Sequence, residues 1–149
     1  MLTIPVLLAK VKSLNLELAR QEAIKSNAFE GLKLNQDQLK LKGQKSDGTF
    51  LKEYASGAYA EYKNFLNAAP GLGRPDLLDT GAFQGGFYAR IQPKSVIFGS
   101  VDSKSDKLEK KYGKEIFGLT KDNTQLFAVK YIIPELKQYI SKETGLKYV

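Results

Sequence analysis

Residues 76–100 read DLLDTGAFQGGFYARIQPKSVIFGS, and their patterning decides the fold class. Phe87, Ala89 and Ile91 alternate with Tyr88, Arg90 and Gln92, and beyond a turn Val96 and Phe98 alternate with Ile97 and Gly99. Successive side chains of a strand point to opposite faces, so this period of two predicts an antiparallel hairpin with one face buried. Pro93 suits the second position of the connecting turn, because its ring presets φ there. Gly81, Gly85 and Gly86 just upstream permit unusual dihedrals or close backbone approach.

Working outward, the remaining sequence reads as helices. Ile4, Leu7, Leu8, Val11, Leu14 and Leu18 keep one face of a 3.6-residue period, which predicts a first helix running from about residue 4 to a break at Ser26-Asn27. Thr3 and Pro5 are its start signal. A second helix is expected over 28–42, with Leu32, Gln36 and Leu39 on one side and Gly43 as its stop. Residues 43–57 read as an ordered loop turning at Asp47-Gly48 and anchored by Phe50, Leu51 and Tyr54. Tyr59, Tyr62, Phe65 and Leu66 place a helix over 58–69, which the Pro70–Pro75 stretch ends as a mobile loop. Downstream of the hairpin, a short helix is expected at 106–113. Thr120 then caps a last helix over 121–141, whose stripe is Leu126, Val129, Ile133, Leu136 and Ile140. Pro134 within it predicts a kink or a restart. The expectation is a single α+β domain over residues 1–149, with N-terminal helices, a central antiparallel β-hairpin and a C-terminal amphipathic helix.

Composition narrows the chemistry. The 149 residues include no Cys and no His, which removes disulfides, thiolate and imidazole metal ligands, and the nucleophile pairs that need either residue. The formal charge is +7, spread as an excess of 4 over residues 1–52 and 3 over residues 53–149. Only Arg20, Arg74 and Arg90 are arginines, whereas base and phosphate readers favour the planar arginine fork. An evenly lysine-rich surface reads as solubility, with salt-sensitive attraction to DNA as the functional alternative. No apolar run nears the roughly 18–20 residues that span a bilayer, and MLTIPVLLAKVK lacks the basic start and cleavage site of a signal peptide. A protein made or assembled in cytosol, without a membrane partner, is expected.

Few constellations suggest catalysis. Gly71-Leu72-Gly73 has neither the third glycine nor the strand-to-helix context of a dinucleotide fingerprint, and no GxxxxGK[ST] occurs, so no nucleotide cofactor is expected. Pro75-Asp76 with Glu109-Lys110-Lys111 superficially matches a nuclease pattern of two Mg²⁺-holding carboxylates and a lysine. That chemistry wants the second carboxylate on a strand, and here it falls in a helix-like, lysine-rich segment that reads as a solvated face. Asp76, Asp79, Asp102 and Asp106 match no calcium-loop spacing and read as turn and cap residues, so no metal is expected. Phe83, Phe87, Tyr88, Phe98, Tyr112 and Phe117 are dense, but only Arg90 and Lys94 accompany them, which favours core packing or a protein interface over base stacking.

An ordered set of residues carries a resemblance. Gln38-Leu39, Gly43, Gly48, Tyr54, Tyr59 and Lys63 are followed by Leu77-Leu78-Asp79-Thr80-Gly81, Phe83, Phe87-Tyr88, Val96-Ile97-Phe98-Gly99-Ser100, Tyr112-Gly113 and Phe117-Gly118-Leu119-Thr120. Over about residues 36–140 this order resembles the bacteriophage tail-completion or virion-morphogenesis family of small head–tail neck proteins. The family often carries an aromatic and His-Gly before its last helix, where this chain has KKYGKEIFG. The resemblance implies a non-enzymatic virion protein, tail terminator-like, whose copies form a ring joining connector and tail. It implies partners among the phage connector, neck and tail proteins, and non-specific lysine contact with DNA in the lumen. It also implies that the hairpin and its approach join neighbouring subunits through Thr80, Gly81, Phe83, Phe87, Tyr88, Tyr112 and Phe117. Loops 43–57 and 70–75 would then meet the rings above and below. The alternative is a small basic protein that binds nucleic acid non-specifically.

Overall fold

The computed structural model describes residues 2–148. Pro5 opens helix α1 (Ile4–Lys12), where its missing N–H removes no helical bond. The helix does not continue to Ser26 as the apolar spacing predicts. Ser13 folds back to donate its hydroxyl to the Lys10 carbonyl at 2.8 Å, and Asn15 accepts from the Leu18 amide at 3.0 Å as the cap of a separate helix α2 (Leu16–Ser26). Leu14 and Leu18 preserve the apolar period across this break, which hides it from a periodicity argument.

Helix α3 (Ala28–Lys42) is the central element. Gly31, Asn35, Gln38 and Leu39, at helical spacing, form its buried face. It stops at Gly43, as expected, in a left-handed conformation with φ 57°. A Cβ there would lie 2.5 Å from the Pro75 carbonyl oxygen, so both space and dihedral demand glycine. In the following loop Gln44 and Phe50 form an isolated bridge around the Asp47-Gly48 turn, and Thr49 donates its amide to Asp47 Oδ1 at 2.9 Å. Leu51 is the buried anchor, while Phe50 stays exposed beneath the Arg74 guanidinium, 3.9 Å from its ring centre. Helix α4 (Gly57–Leu66), capped by Ser56, ends three residues earlier than the pattern suggests because Asn67 turns the chain.

A one-turn helix α5 (Ala82–Gly85), begun by Gly81 at φ 87°, leads into the hairpin. Strands β1 (Phe87–Ile91) and β2 (Val96–Ser100) pair antiparallel in the expected register, with Ala89 opposite Phe98 and Ile91 opposite Val96. Helix α6 (Ser105–Tyr112) and a 3-10 turn (Lys114–Ile116) follow. Thr120 caps α7 (Lys121–Phe127) by accepting from the Asn123 amide at 3.2 Å. The kink expected at Pro134 takes the form of a π-helical segment, Ala128–Ile132, before α8 (Ile133–Thr144). Proline lacks an N–H and crowds the carbonyl four residues back, and the wider turn accommodates both defects.

The fold is thus α+β, helices around one two-stranded sheet, with a C-terminal helix. Leu39, Leu51, Phe83, Phe87 and Ile116 form its core, with Leu32, Leu77, Leu108, Tyr112 and Phe117 packed around them. Phe83, Phe87 and Phe117 meet at ring-centre distances of 5.1 to 5.7 Å, in tilted and edge-on pairs that aromatic quadrupoles favour.

Candidate functional site

Two polar assemblies fix the surfaces on which function would depend. In the first, Asn35 Nδ2 donates to the Ile116 carbonyl at 3.1 Å, and its Oδ1 accepts the Gly118 amide at 3.0 Å. One turn on, Gln38 Oε1 accepts the Thr120 amide at 2.9 Å and Asn123 Nδ2 at 3.0 Å. These two buried side chains hold the 116–123 connection to α3, and with it the end of α6. In the second, the buried Lys63 ammonium lies 3.0 Å from Asp76 Oδ1 and donates to the Leu78 carbonyl. Asp76 also accepts the Leu78 amide and Asn67 Nδ2, both at 3.0 Å. Gln84 Nε2 donates to the Asp76 carbonyl at 2.7 Å, and Gln36 Nε2 to the Gln84 carbonyl at 2.6 Å. Asp76 is therefore a structural ion-pair partner, 2% exposed, and not an open metal ligand. Glu109 sits on α6, 3.5 Å from Ser105 Oγ. Among the described residues, no three His, Cys, Asp or Glu side chains gather as metal ligands would. Burial first, and the neighbouring Asp76 charge second, push the Tyr54 hydroxyl well above the usual phenol range.

Clefts of opposite character flank α6. On one side a cleft of about 520 Å³ is bounded by Tyr54, Tyr59 and Tyr112 and by Lys104, Lys107 and Lys111, with the Lys63–Asp76 pair, Asp79, Thr80 and Gly81 also lining it and buried Phe83 reaching it from the core. Lys104 pairs with Asp79 at 3.1 Å; among the described residues, Lys107 and Lys111 have no carboxylate partner. On the other side a cleft of about 710 Å³, against β2, is lined by Asp102, Asp106, Glu109 and Glu115 with Lys114 as its cation, and by Tyr88 and Phe117. The residues singled out from the sequence therefore divide. Thr80, Gly81 and Tyr112 belong to the lysine side, Tyr88 and Phe117 to the acid side. Phe87 is buried in the aromatic core, and Phe83, also buried, borders the lysine side from that core.

Two further helices, α1 and α4, carry exposed surfaces. Arg20 and Gln21 on α2 donate to the Pro93 carbonyl in the hairpin turn at 3.1 and 3.3 Å, whereas Gln36 on α3 holds the hairpin base through Gln84. Helix α1 packs against α8, and α4 is joined to the last turn of α3 by Asn67 Nδ2 on the Lys40 carbonyl at 2.9 Å. Both helices expose apolar side chains: Ile4, Leu8 and Val11 on α1, and Tyr62, Phe65 and Leu66 on α4. Of the α1 residues, none is buried.

No family model, curated protein or solved structure matches this chain.

Its surfaces must therefore be read from their own chemistry. The sequence did not disclose the division of α6, although the signal is present: Lys104, Lys107 and Lys111 recur at three and four residues, Asp102, Asp106 and Glu109 likewise, on a different side. Among the described residues, no helix is long and apolar enough to cross a membrane.

Proposed function

We propose that this chain is a structural protein of the bacteriophage virion, a head–tail neck or tail-completion protein that forms a ring between connector and tail and catalyses no reaction. The division of α6 into a lysine-lined and an acid-lined side is the observation that carries this reading. A closed ring needs head-to-tail contacts between two different patches of one subunit. Opposite charge steers those patches together and penalises like against like. Thr80, Gly81 and Tyr112 frame one patch and Tyr88 and Phe117 the other, in keeping with the resemblance over residues 36–140. The exposed apolar side chains of α1 and α4 are suited to docking the connector and tail proteins, since an exposed apolar patch marks a docking surface. Lysines turned to the lumen would tolerate passing DNA through salt-dependent contacts that read no sequence.

Native mass spectrometry tests the proposal, on the protein alone and with connector and tail-tube proteins of the same phage. A discrete higher oligomer, or a ring formed only with those partners, is the expected result. A monomer that ignores them overturns it.

A second reading has its own support. Tyr54, Tyr59 and Tyr112 beside Lys104, Lys107 and Lys111 combine rings that stack on bases with cations that follow a phosphate backbone. A non-specific nucleic-acid-binding protein would shift single-stranded DNA at physiological salt and lose that binding when Lys107 and Lys111 are changed to Gln.

A further inference from the structure

The lysine-lined cleft beside α6, about 520 Å³, falls within the roughly 300–1,000 Å³ of small-molecule sites. Its charges do not cancel. The two carboxylates that line it are already engaged, Asp76 with Lys63 at 3.0 Å and Asp79 with Lys104 at 3.1 Å. Lys107 and Lys111 line the same cleft, are exposed, and among the described residues pair with no carboxylate. They stand four residues apart on α6, which makes their Cβ atoms neighbours about 5–6 Å apart, and like charges at that spacing destabilise a helix. One anion between the two ammonium groups relieves that repulsion, and two uncompensated positive charges match a dianion.

The aromatic part of the wall suits a planar ring. Tyr54 and Tyr59 meet edge-on with centres 5.0 Å apart, and Tyr59 remains 47% exposed, with ring surface left to meet a ligand. Tyr112 adjoins the cations: the Lys111 ammonium lies 4.9 Å from its ring centre. Every nucleobase has a face that stacks on such rings. A phosphate monoester carries about −1.5 to −2 charges at pH 7, which fits the lysine pair, whereas a backbone diester brings a single charge. We infer that this cleft binds a free mononucleotide, its base against Tyr59 and Tyr112 and its phosphate monoester between Lys107 and Lys111. The cleft is built within one subunit, so the inference stands apart from ring formation. It differs from strand binding in requiring a terminal phosphate.

Titration of the full chain with adenosine monophosphate, its methyl ester, adenosine and inorganic phosphate tests the inference, read by NMR shifts and calorimetry at physiological salt. Saturable one-to-one binding is expected. The monophosphate should bind about ten-fold tighter than the methyl ester, which keeps the base but loses a charge, and tighter still than adenosine or phosphate. Lys107→Gln with Lys111→Gln should erase the advantage over the methyl ester and leave adenosine unaffected. Both positions are exposed, so the thermal midpoint should hold, which separates lost binding from lost fold. Tyr59→Leu should weaken the monophosphate about ten-fold, the worth of one stacked base, and leave inorganic phosphate unchanged. Absence of saturable binding, or equal affinity for monophosphate and methyl ester, would overturn the inference. So would inorganic phosphate binding as tightly as the mononucleotide. A dinucleoside monophosphate without a terminal phosphate that binds as tightly would overturn it in favour of strand binding.

Discussion

Lys63 and Asp76 form a buried salt bridge, and each depends on the other. Removing one partner leaves an uncompensated buried charge, whereas removing both can be nearly neutral. Asp76→Ala should therefore cost about 3–5 kcal/mol in urea unfolding, and Lys63→Met combined with Asp76→Asn distinctly less. An equal loss in both variants would show that the pair is not coupled. Tyr54 beside them makes a pH-dependent prediction. Its hydroxyl stays protonated in the folded state above the ordinary phenol value of 10.0, so the folded protein binds more protons there than the unfolded chain. Stability from this group is complete below pH 10 and falls as pH rises toward the folded-state value. Tyr54→Phe should flatten the alkaline stability profile relative to the unaltered protein; unchanged slopes would contradict the assignment. Nothing at the level of residue order shows this environment. Asp76 follows a proline in a loop, and only the contacts of Asn67, Leu78 and Lys63 reveal it as a buried anchor.

At the scale of elements, legibility followed the number of residues carrying each signal. The hairpin register was readable because alternation at residues 87–91 and 96–98 repeats the same message several times, and α3 because Gly43 admits little else. The break between α1 and α2 rests on the single cap Asn15, within an apolar period that runs across it undisturbed. Pro134 located the irregularity of the last helix without disclosing that the backbone would widen over Ala128–Ile132. Asn15→Ala should cost about 0.5–2 kcal/mol, the usual worth of an N-cap, read as a lower thermal midpoint. Hydrogen exchange should separate the elements further. Helix α1 has no buried residue, so its amides should exchange orders of magnitude faster than those of α3, and should slow when the protein binds a partner through that end. Protection of α1 matching that of α3 in the isolated protein would refute this.

For the whole molecule, the two sides of α6 make assembly a question of charge. Lys107→Glu with Lys111→Glu lies on exposed positions, so the subunit should keep its fold while the oligomer falls apart in native mass spectra. Raising ionic strength toward 1 M shortens the screening length from about 8 to about 3 Å, and should weaken assembly of the unaltered protein in the same direction. An oligomer indifferent to both changes is not held by these patches. The division of α6 stayed illegible in sequence because LEKKY reads locally as one solvated face; which cleft each charge enters depends on β2 and on Thr80-Gly81, both distant along the chain. The relay from Gln36 through Gln84, Asp76 and Asn67 to the Lys40 carbonyl begins and ends on α3, about one turn apart. It is a closed loop fastened to a single rod. A pull on α4, or on the segment between residues 76 and 84, is therefore shared by several bonds loaded together and passed along the rod. The hairpin turn is instead fastened to α2 at one point, the Pro93 carbonyl that Arg20 and Gln21 share. Under tension this protein has a stiff end and a yielding one.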